Sequence, residues 1–276
     1  MDQLPFSEQL AQLAPGKIAI AGIPFDAYSS YMRGPALAPP LIVDAFHSPS
    51  ANCYTESLRA LDGHPQLVWM GEAPVAEYTD IFPQAQHILQ TGCRLLALGG
   101  DHSVSYPLLK ATAAHHDGLT ILHLDAHTDL YESFAGNPFS HACPFARILE
   151  DGLVRRLVQV GIRTLTPQHR QLADQYGVEI IEMKDWQGQT DFQLVGPVYL
   201  SLDLDVLEPG LAPGLSHHEP GGMTVREVLS IIQHIDAPLV GADIVEYNPR
   251  RDRDGITAMI AAKCMKEVLD RMLTEH

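Results

Sequence analysis

The chain has 276 residues, 46% of them apolar, and sets 34 Asp and Glu against 18 Lys and Arg for a formal charge of −16. This length and composition suit one large α/β domain, and the charge opposes binding to nucleic-acid phosphates or an anionic membrane while suiting a small cationic partner. Cys53, Cys93, Cys143 and Cys264 form no Cys-x-x-Cys pair, which argues against a zinc ribbon and a disulfide scaffold.

The opening Met1-Asp2-Gln3-Leu4-Pro5-Phe6 lacks a basic segment followed by an apolar core, and no apolar run reaches the ~20 residues that span a bilayer. A soluble, cytoplasmic protein is expected. Lys17 to Gly22 reads as a first strand, followed by a loop rich in Ser, Tyr, Gly and Pro. A helix over Ala36 to Phe46, a strand over Leu67 to Met70 and a helix from Tyr78 to Thr91 follow, with Gly92 placed to end the last. The strand Arg94 to Leu98 runs into Gly99-Gly100-Asp101-His102-Ser103 and a helix from about Tyr106 to His115. Beyond the strand Ile121 to Leu124 come a polar loop to His141, a helix at Pro144 to Glu150 and a strand at Leu153 to Ile162. The rest alternates: helix Pro167 to Tyr176, strands Val178 to Glu182 and Val198 to Leu202, helix Val225 to Ile235, strand Leu239 to Ile244, helix Ile256 to Leu273. This β-then-α order with nearly continuous apolar strands predicts a parallel sheet covered on both faces, in one domain over 1–276.

Polar groups gather where the strands end. Asp125, His127 and Asp129 follow Ile121 to Leu124 at alternate positions, so in an extended chain all three point the same way. Asp203 and Asp205 repeat that spacing, His102 follows the Arg94 strand, and Asp243 and Glu246 follow the Leu239 strand. Ligands of an open parallel sheet bind outside the carboxyl ends of its strands, so these groups are expected to converge there. Buried carboxylates are costly without a cation. Two imidazoles and four carboxylates without a thiolate suit a hard or borderline ion such as Mn²⁺, and six ligands suit a pair of ions.

Gly99-Gly100-Asp101-His102-Ser103, Asp125-Ala126-His127-Thr128-Asp129 and Ser201-Leu202-Asp203-Leu204-Asp205 resemble the three signature motifs of the ureohydrolase (arginase and agmatinase) family, a likeness that runs from Gly22 to Pro249. The resemblance implies a three-layer α/β/α fold with a mostly parallel eight-stranded sheet, two Mn²⁺ ions, and a homotrimer or homohexamer. It implies that His102 and Asp129 bind one ion, that His127 and Asp205 bind the other, and that Asp125 and Asp203 bridge them. The implied reaction is hydrolysis of a guanidino group to urea and an amine. Glu246 would hold the guanidinium, and His141 would carry protons to the leaving amine.

Three departures bear on the substrate. Glu208 stands where the motif usually has Asp, and it is expected to adjust a loop without removing a ligand. The segments Leu130-Tyr131-Glu132 and Gly161-Ile162-Arg163-Thr164-Leu165-Thr166 lack the polar partners that arginases offer an α-amino acid head, and His217-His218 replaces a Thr-Pro common in relatives. These favour an agmatinase-like activity on agmatine or another small cationic guanidinoalkyl compound. Arginase or formimidoylglutamase activity is the alternative, and a catalytically silent metal-binding homologue is the third.

Overall fold

The computed structural model describes residues 6–274. Its strands are Ile18–Gly22 (β1), Leu67–Glu72 (β2), Arg94–Leu98 (β3), Thr120–Leu124 (β4), Arg156–Ile162 (β5), Glu179–Glu182 (β6), Val198–Asp203 (β7) and Leu239–Val245 (β8). Its α-helices are Phe6–Gln9 (α1), Ala38–Phe46 (α2), Ile81–Leu89 (α3), Ser105–Ala113 (α4), Pro144–Glu150 (α5), Pro167–Tyr176 (α6), Val225–Gln233 (α7) and Ile256–Leu273 (α8). The strands form one eight-stranded sheet in the order β2-β1-β3-β8-β7-β4-β5-β6, and every ladder is parallel.

Side chains alternate across each strand and divide the core between two faces. Ile18, Ile20, Leu96, Leu98, Leu122 and Leu124 pack with α2, α7 and α8 on one side. Their neighbours Ala19, Ala21, Leu95 and Ala97 pack with α3 and α4 on the other, where Ile121 and Leu157 meet Phe145 of α5 and Ala173 of α6. The result is the three-layer α/β/α fold expected from the β-then-α order. Among the described residues no helix is long and apolar enough to cross a membrane.

Element boundaries differ from expectation where glycine and helix ends intervene. The strand read from Leu153 begins at Arg156, because the Leu153 amide donates to the Ile148 carbonyl (3.1 Å) to close the end of α5, and Gly152 is left-handed at φ +62°. β2 continues past Met70 through a register shift opposite Ile20 and Ala21, where Gly71 takes φ +72°. The helical turn α1 was not anticipated.

The sheet order matters most for the site. β3, β8, β7 and β4 are neighbours at its centre, so polar ends far apart in sequence meet along one carboxyl edge. Gly100 permits this edge to close. A Cβ there would lie 1.7 Å from the Phe25 carbonyl oxygen, which instead accepts the Asp101 amide at 2.9 Å. Gly161, at φ +99°, lets β5 pass beside the Asp125 carbonyl, 2.9 Å from where a Cβ would stand. Gly100→Ala is therefore expected to destabilise the protein by about 3 kcal/mol, roughly 5–10 °C in Tm. Gly210→Ala, whose new methyl would meet nothing nearer than Glu208 Oε1 at 3.9 Å, should leave Tm almost unchanged in the same thermal melts.

Candidate active site

The turn after β3 is built by Asp101. This fully buried carboxylate caps the 3₁₀ turn His102–Val104 by accepting from the Ser103 amide and hydroxyl at 3.1 and 2.5 Å, and its other oxygen accepts from the Tyr28 amide and Ser29 hydroxyl, both at 3.1 Å. Asp101 thus ties the loop after β1 to the site without entering it.

His102 is fully buried, and its Nε2 lies 3.0 Å from Ser201 Oγ. Ser201 donates its only proton to Asp243 Oδ1 at 2.7 Å, so it accepts from the ring, which puts a proton on Nε2. The other nitrogen, Nδ1, faces Asp129 Oδ2 at 3.0 Å, Asp125 Oδ2 at 3.1 Å and Asp203 Oδ2 at 3.2 Å. Against the effect of burial, these carboxylates hold the ring well above its ordinary pKa, and a cation between them would take the Nδ1 lone pair in place of a proton. Neighbouring donor atoms around an octahedral ion bonded at about 2.1 Å lie about 3.0 Å apart, which is the spacing seen here. Asp243 lies apart from this cluster, because both its oxygens are used by Ser201 and by the Tyr199 hydroxyl at 2.8 Å.

A second group adjoins the first. His127 Nδ1 lies 3.0 Å from Asp205 Oδ2 and 3.3 Å from Asp125 Oδ1, so Asp125 faces both imidazoles. Asp203 presents Oδ2 to His102, while its Oδ1 accepts the Asp205 amide at 2.7 Å. Burial, then the charges of Asp205 and Asp125, push the Asp203 carboxyl well above the usual range. Burial also raises Asp205 to about 6 although His127 pulls the other way. Asp125 is buried too, but His123, His102 and His127 hold it well below the usual range.

Glu246 and His141 form the opposite wall. Glu246 is left-handed at φ +64°, with its amide donating to the Gly100 carbonyl at 2.9 Å. Oε1 accepts from the His102 amide at 3.0 Å and lies 2.8 Å from His141 Nδ1, whereas the buried Oε2 has no partner. His141 Nε2 receives the Ser30 amide at 3.1 Å, which requires a lone pair there and puts the ring proton on Nδ1. Burial opposes charge on this ring, but Glu246 and then Asp101 draw it up to about 9. Nε2 thus meets two groups of Ser30, the amide and the hydroxyl at 2.8 Å.

His127, Asp129, Asp203, Asp205, His141 and Glu246 all line one cavity of about 220 Å³. Its outer wall is Tyr131, Phe134, Thr164, His169, His217 and Glu219. His217 reaches the cavity, with its ring 5.3 Å from that of His141 and 5.8 Å from that of His127. His218 turns away to the Pro213 carbonyl and Arg251. Glu208 accepts from the Gly221 and Gly222 amides at 2.7 and 3.0 Å, so the longer side chain pins the loop that carries His217. Arg163 belongs to the scaffold, with its guanidinium spent on the carbonyls of Asp205, Leu207 and Glu219. Sequence reasoning missed His123, Gln159 and His169, whereas Ser30 comes from the loop after β1 whose serines were read as able to line a site. His169 is 5% exposed with neither ring nitrogen bonded, and only its distance of three residues from Thr166 hinted that a helix start would aim it inward.

The model of the arginase family matches residues 16–270. The mitochondrial arginase of Medicago truncatula is 41% identical over 92% of this chain and 81% of its own length, and arginase 2 (chloroplastic/mitochondrial) of Arabidopsis thaliana is 42% identical over 94% and 81%. The solved arginase from Medicago truncatula superposes with a TM-score of 0.88 at 39% identity, covering 97% of this chain and 91% of that one. These relatives are arginases, so the leaning toward agmatinase-like members is not carried by them. They also overturn the cytoplasmic expectation, since they are designated mitochondrial or chloroplastic. With the three motifs converged at one carboxyl edge and the family matched over most of its length, the chain belongs to the arginase family and is an amidinohydrolase acting on guanidino groups.

Proposed function

We propose that the chain hydrolyses the guanidino group of arginine to urea and ornithine, with His102, Asp125, His127, Asp129, Asp203 and Asp205 holding two Mn²⁺ ions. The observation that carries the reading is Glu246 Oε2, a buried carboxylate oxygen without a partner in the same cavity as the ligand cluster. An unpaired buried carboxylate costs several kcal/mol, and a guanidinium meets it with paired charge-assisted hydrogen bonds. His102 with Asp129 and His127 with Asp205 would hold one ion each, and Asp125, which faces both imidazoles, would serve both. Asp203, whose Oδ2 lies on the His102 side, would join them. Oxygen and imidazole donors without thiolate suit Mn²⁺.

When bound, such ions supply Lewis-acid activation of water at neutral pH. The chain does the rest. Glu246 orients the guanidinium carbon toward the ligand cluster. His141 Nε2 can take up a proton by giving up the Ser30 amide and turning the Ser30 hydroxyl from donor to acceptor, and can then pass the proton to the departing amine. Tyr131, Phe134 and His217 narrow the mouth and limit water.

A specific observation supports agmatine as a second substrate. The cavity lining includes five carboxylates, Asp129, Asp203, Asp205, Glu219 and Glu246, but neither Lys nor Arg to meet an α-carboxylate. Urea release from arginine, agmatine, guanidinobutyrate and guanidinopropionate by Mn²⁺-loaded protein tests both readings. The highest kcat/KM on arginine is expected, agmatine in first place would establish the second reading, and no turnover on any of them would refute the function. Glu246→Gln should lower kcat/KM on the best substrate about 10²–10³-fold, the scale of losing one transition-state contact.

The pH dependence of ion binding follows from Asp203 and Asp205. Both folded pKa values are raised, so their contribution to stability is present at low pH and is lost as pH rises through about 6 for Asp205 and through the raised value of Asp203. Ions require the deprotonated forms, so their affinity should fall about tenfold per pH unit for each proton displaced. The rise in Tm on adding Mn²⁺ should therefore be large at pH 8 and nearly gone at pH 5. A shift independent of pH across that range would contradict this ligand assignment.

A further inference from the structure

His123 lies two residues before Asp125 on β4, is fully buried, and is close enough to His102 and Asp125 that the three could hold an ion. Its hydrogen bonds decide otherwise. His123 pairs in register with Gln159 of β5, and its Nδ1 lies 3.0 Å from Gln159 Nε2. The same Nε2 lies 2.7 Å from the Thr128 carbonyl oxygen. A carbonyl oxygen only accepts, so the amide cannot be turned around without setting two acceptors against each other. The amide nitrogen therefore donates one proton to Thr128 and one to His123 Nδ1. The ring proton must then sit on Nε2, which lies 2.8 Å from Asp125 Oδ2 and donates to it. Both ring nitrogens are spent.

We propose that His123 and Gln159 act as a positioning pair that stands outside the ligand set and fixes the Asp125 carboxylate for the ions. The proposal rests on the metal site put forward above. Asp125 is the one carboxylate facing both His102 and His127. The His127 amide at 2.5 Å restrains Oδ1, and His123 restrains Oδ2, so the plane of the carboxylate is set from both ends. Thr128 is held through the same amide, which couples the turn bearing His127 and Asp129 to β5.

The test is Mn²⁺ titration by calorimetry, with bound metal counted by elemental analysis, and the EPR spectrum of the loaded protein. In His123→Asn the shorter side chain cannot reach Asp125, and affinity should fall about 10–100-fold with the number of ions at saturation unchanged. In His123→Gln the amide nitrogen can replace Nε2 as the donor, and affinity should return close to that of the unaltered protein. Gln159→Leu, which frees the ring to move its proton to Nδ1, should weaken binding as His123→Asn does, and it serves if the latter does not fold. Loss of one ion at saturation in both His123 variants would make His123 a ligand and overturn the proposal. Unchanged affinity in folded His123→Asn or Gln159→Leu would reduce the pair to packing and also overturn it. An unaltered protein that binds no Mn²⁺ would overturn the metal reading itself, and the proposal with it.

Discussion

Holding several carboxylates close together away from water is the constraint on which the rest of this molecule depends. Asp125, Asp203 and Asp205 are each at most 3% exposed, and Asp129 is 8% exposed. Each such charge loses hydration worth several kcal/mol, and their mutual repulsion adds to it. The chain alone compensates in part, by a raised pKa at Asp203 and by surrounding Asp125 with imidazoles. Full compensation needs positive charge between the oxygens, where His102 Nδ1 also points.

The scaffold around that cluster is held by acids whose hydrogen bonds are spent on neighbouring loops and side chains. Asp101 fastens the β1 loop, Asp243 fixes Ser201 and through it the tautomer of His102, and Glu208 fastens the loop of His217. None of these three acids enters the cluster, yet each sets the position of something that lines it. Backbone strain is present at the same place. Asp129 and Glu246 are left-handed without being glycine, at φ +51° and +64°, a cost of roughly 1–2 kcal/mol each that packing on both sides must offset.

Much of this was legible in the chain. The spacing of Asp125, His127 and Asp129 in an extended segment already implied convergence, and strand-end placement implied which edge they share. The central strands were visible because parallel strands buried on both faces are apolar throughout. The neighbourly order of β3, β8, β7 and β4 was not legible, since pairing between strands far apart in sequence leaves no local pattern. Asp203 and Asp243, two strand-end acids of similar local appearance, were separated by the motif around Asp203 and not by periodicity. They differ in what their neighbours on other strands offer them. Arg163 caps carbonyls of a turn over forty residues away. Gln159 carried no signal at all, because an amide in an apolar strand is informative only once His123 is seen opposite it.

The remaining tension lies between relatives that are arginases and a cavity whose fixed charges are all negative. It is eased by the neutral groups of the outer wall. Thr164 donates to the Ala126 carbonyl and Ser30 is committed to His141, so neither is free to meet a substrate tail. His169 keeps both ring nitrogens unbonded, and His217 keeps Nε2 unbonded. Burial lowers the pKa of both rings and holds them neutral. A neutral imidazole can accept from an ammonium group and donate to a carboxylate, so the same wall serves an amine tail or an amino acid head. On the proposed reading, choice among guanidino substrates would rest on dipoles and reach, with the acids of the inner wall left to the guanidinium and the ions.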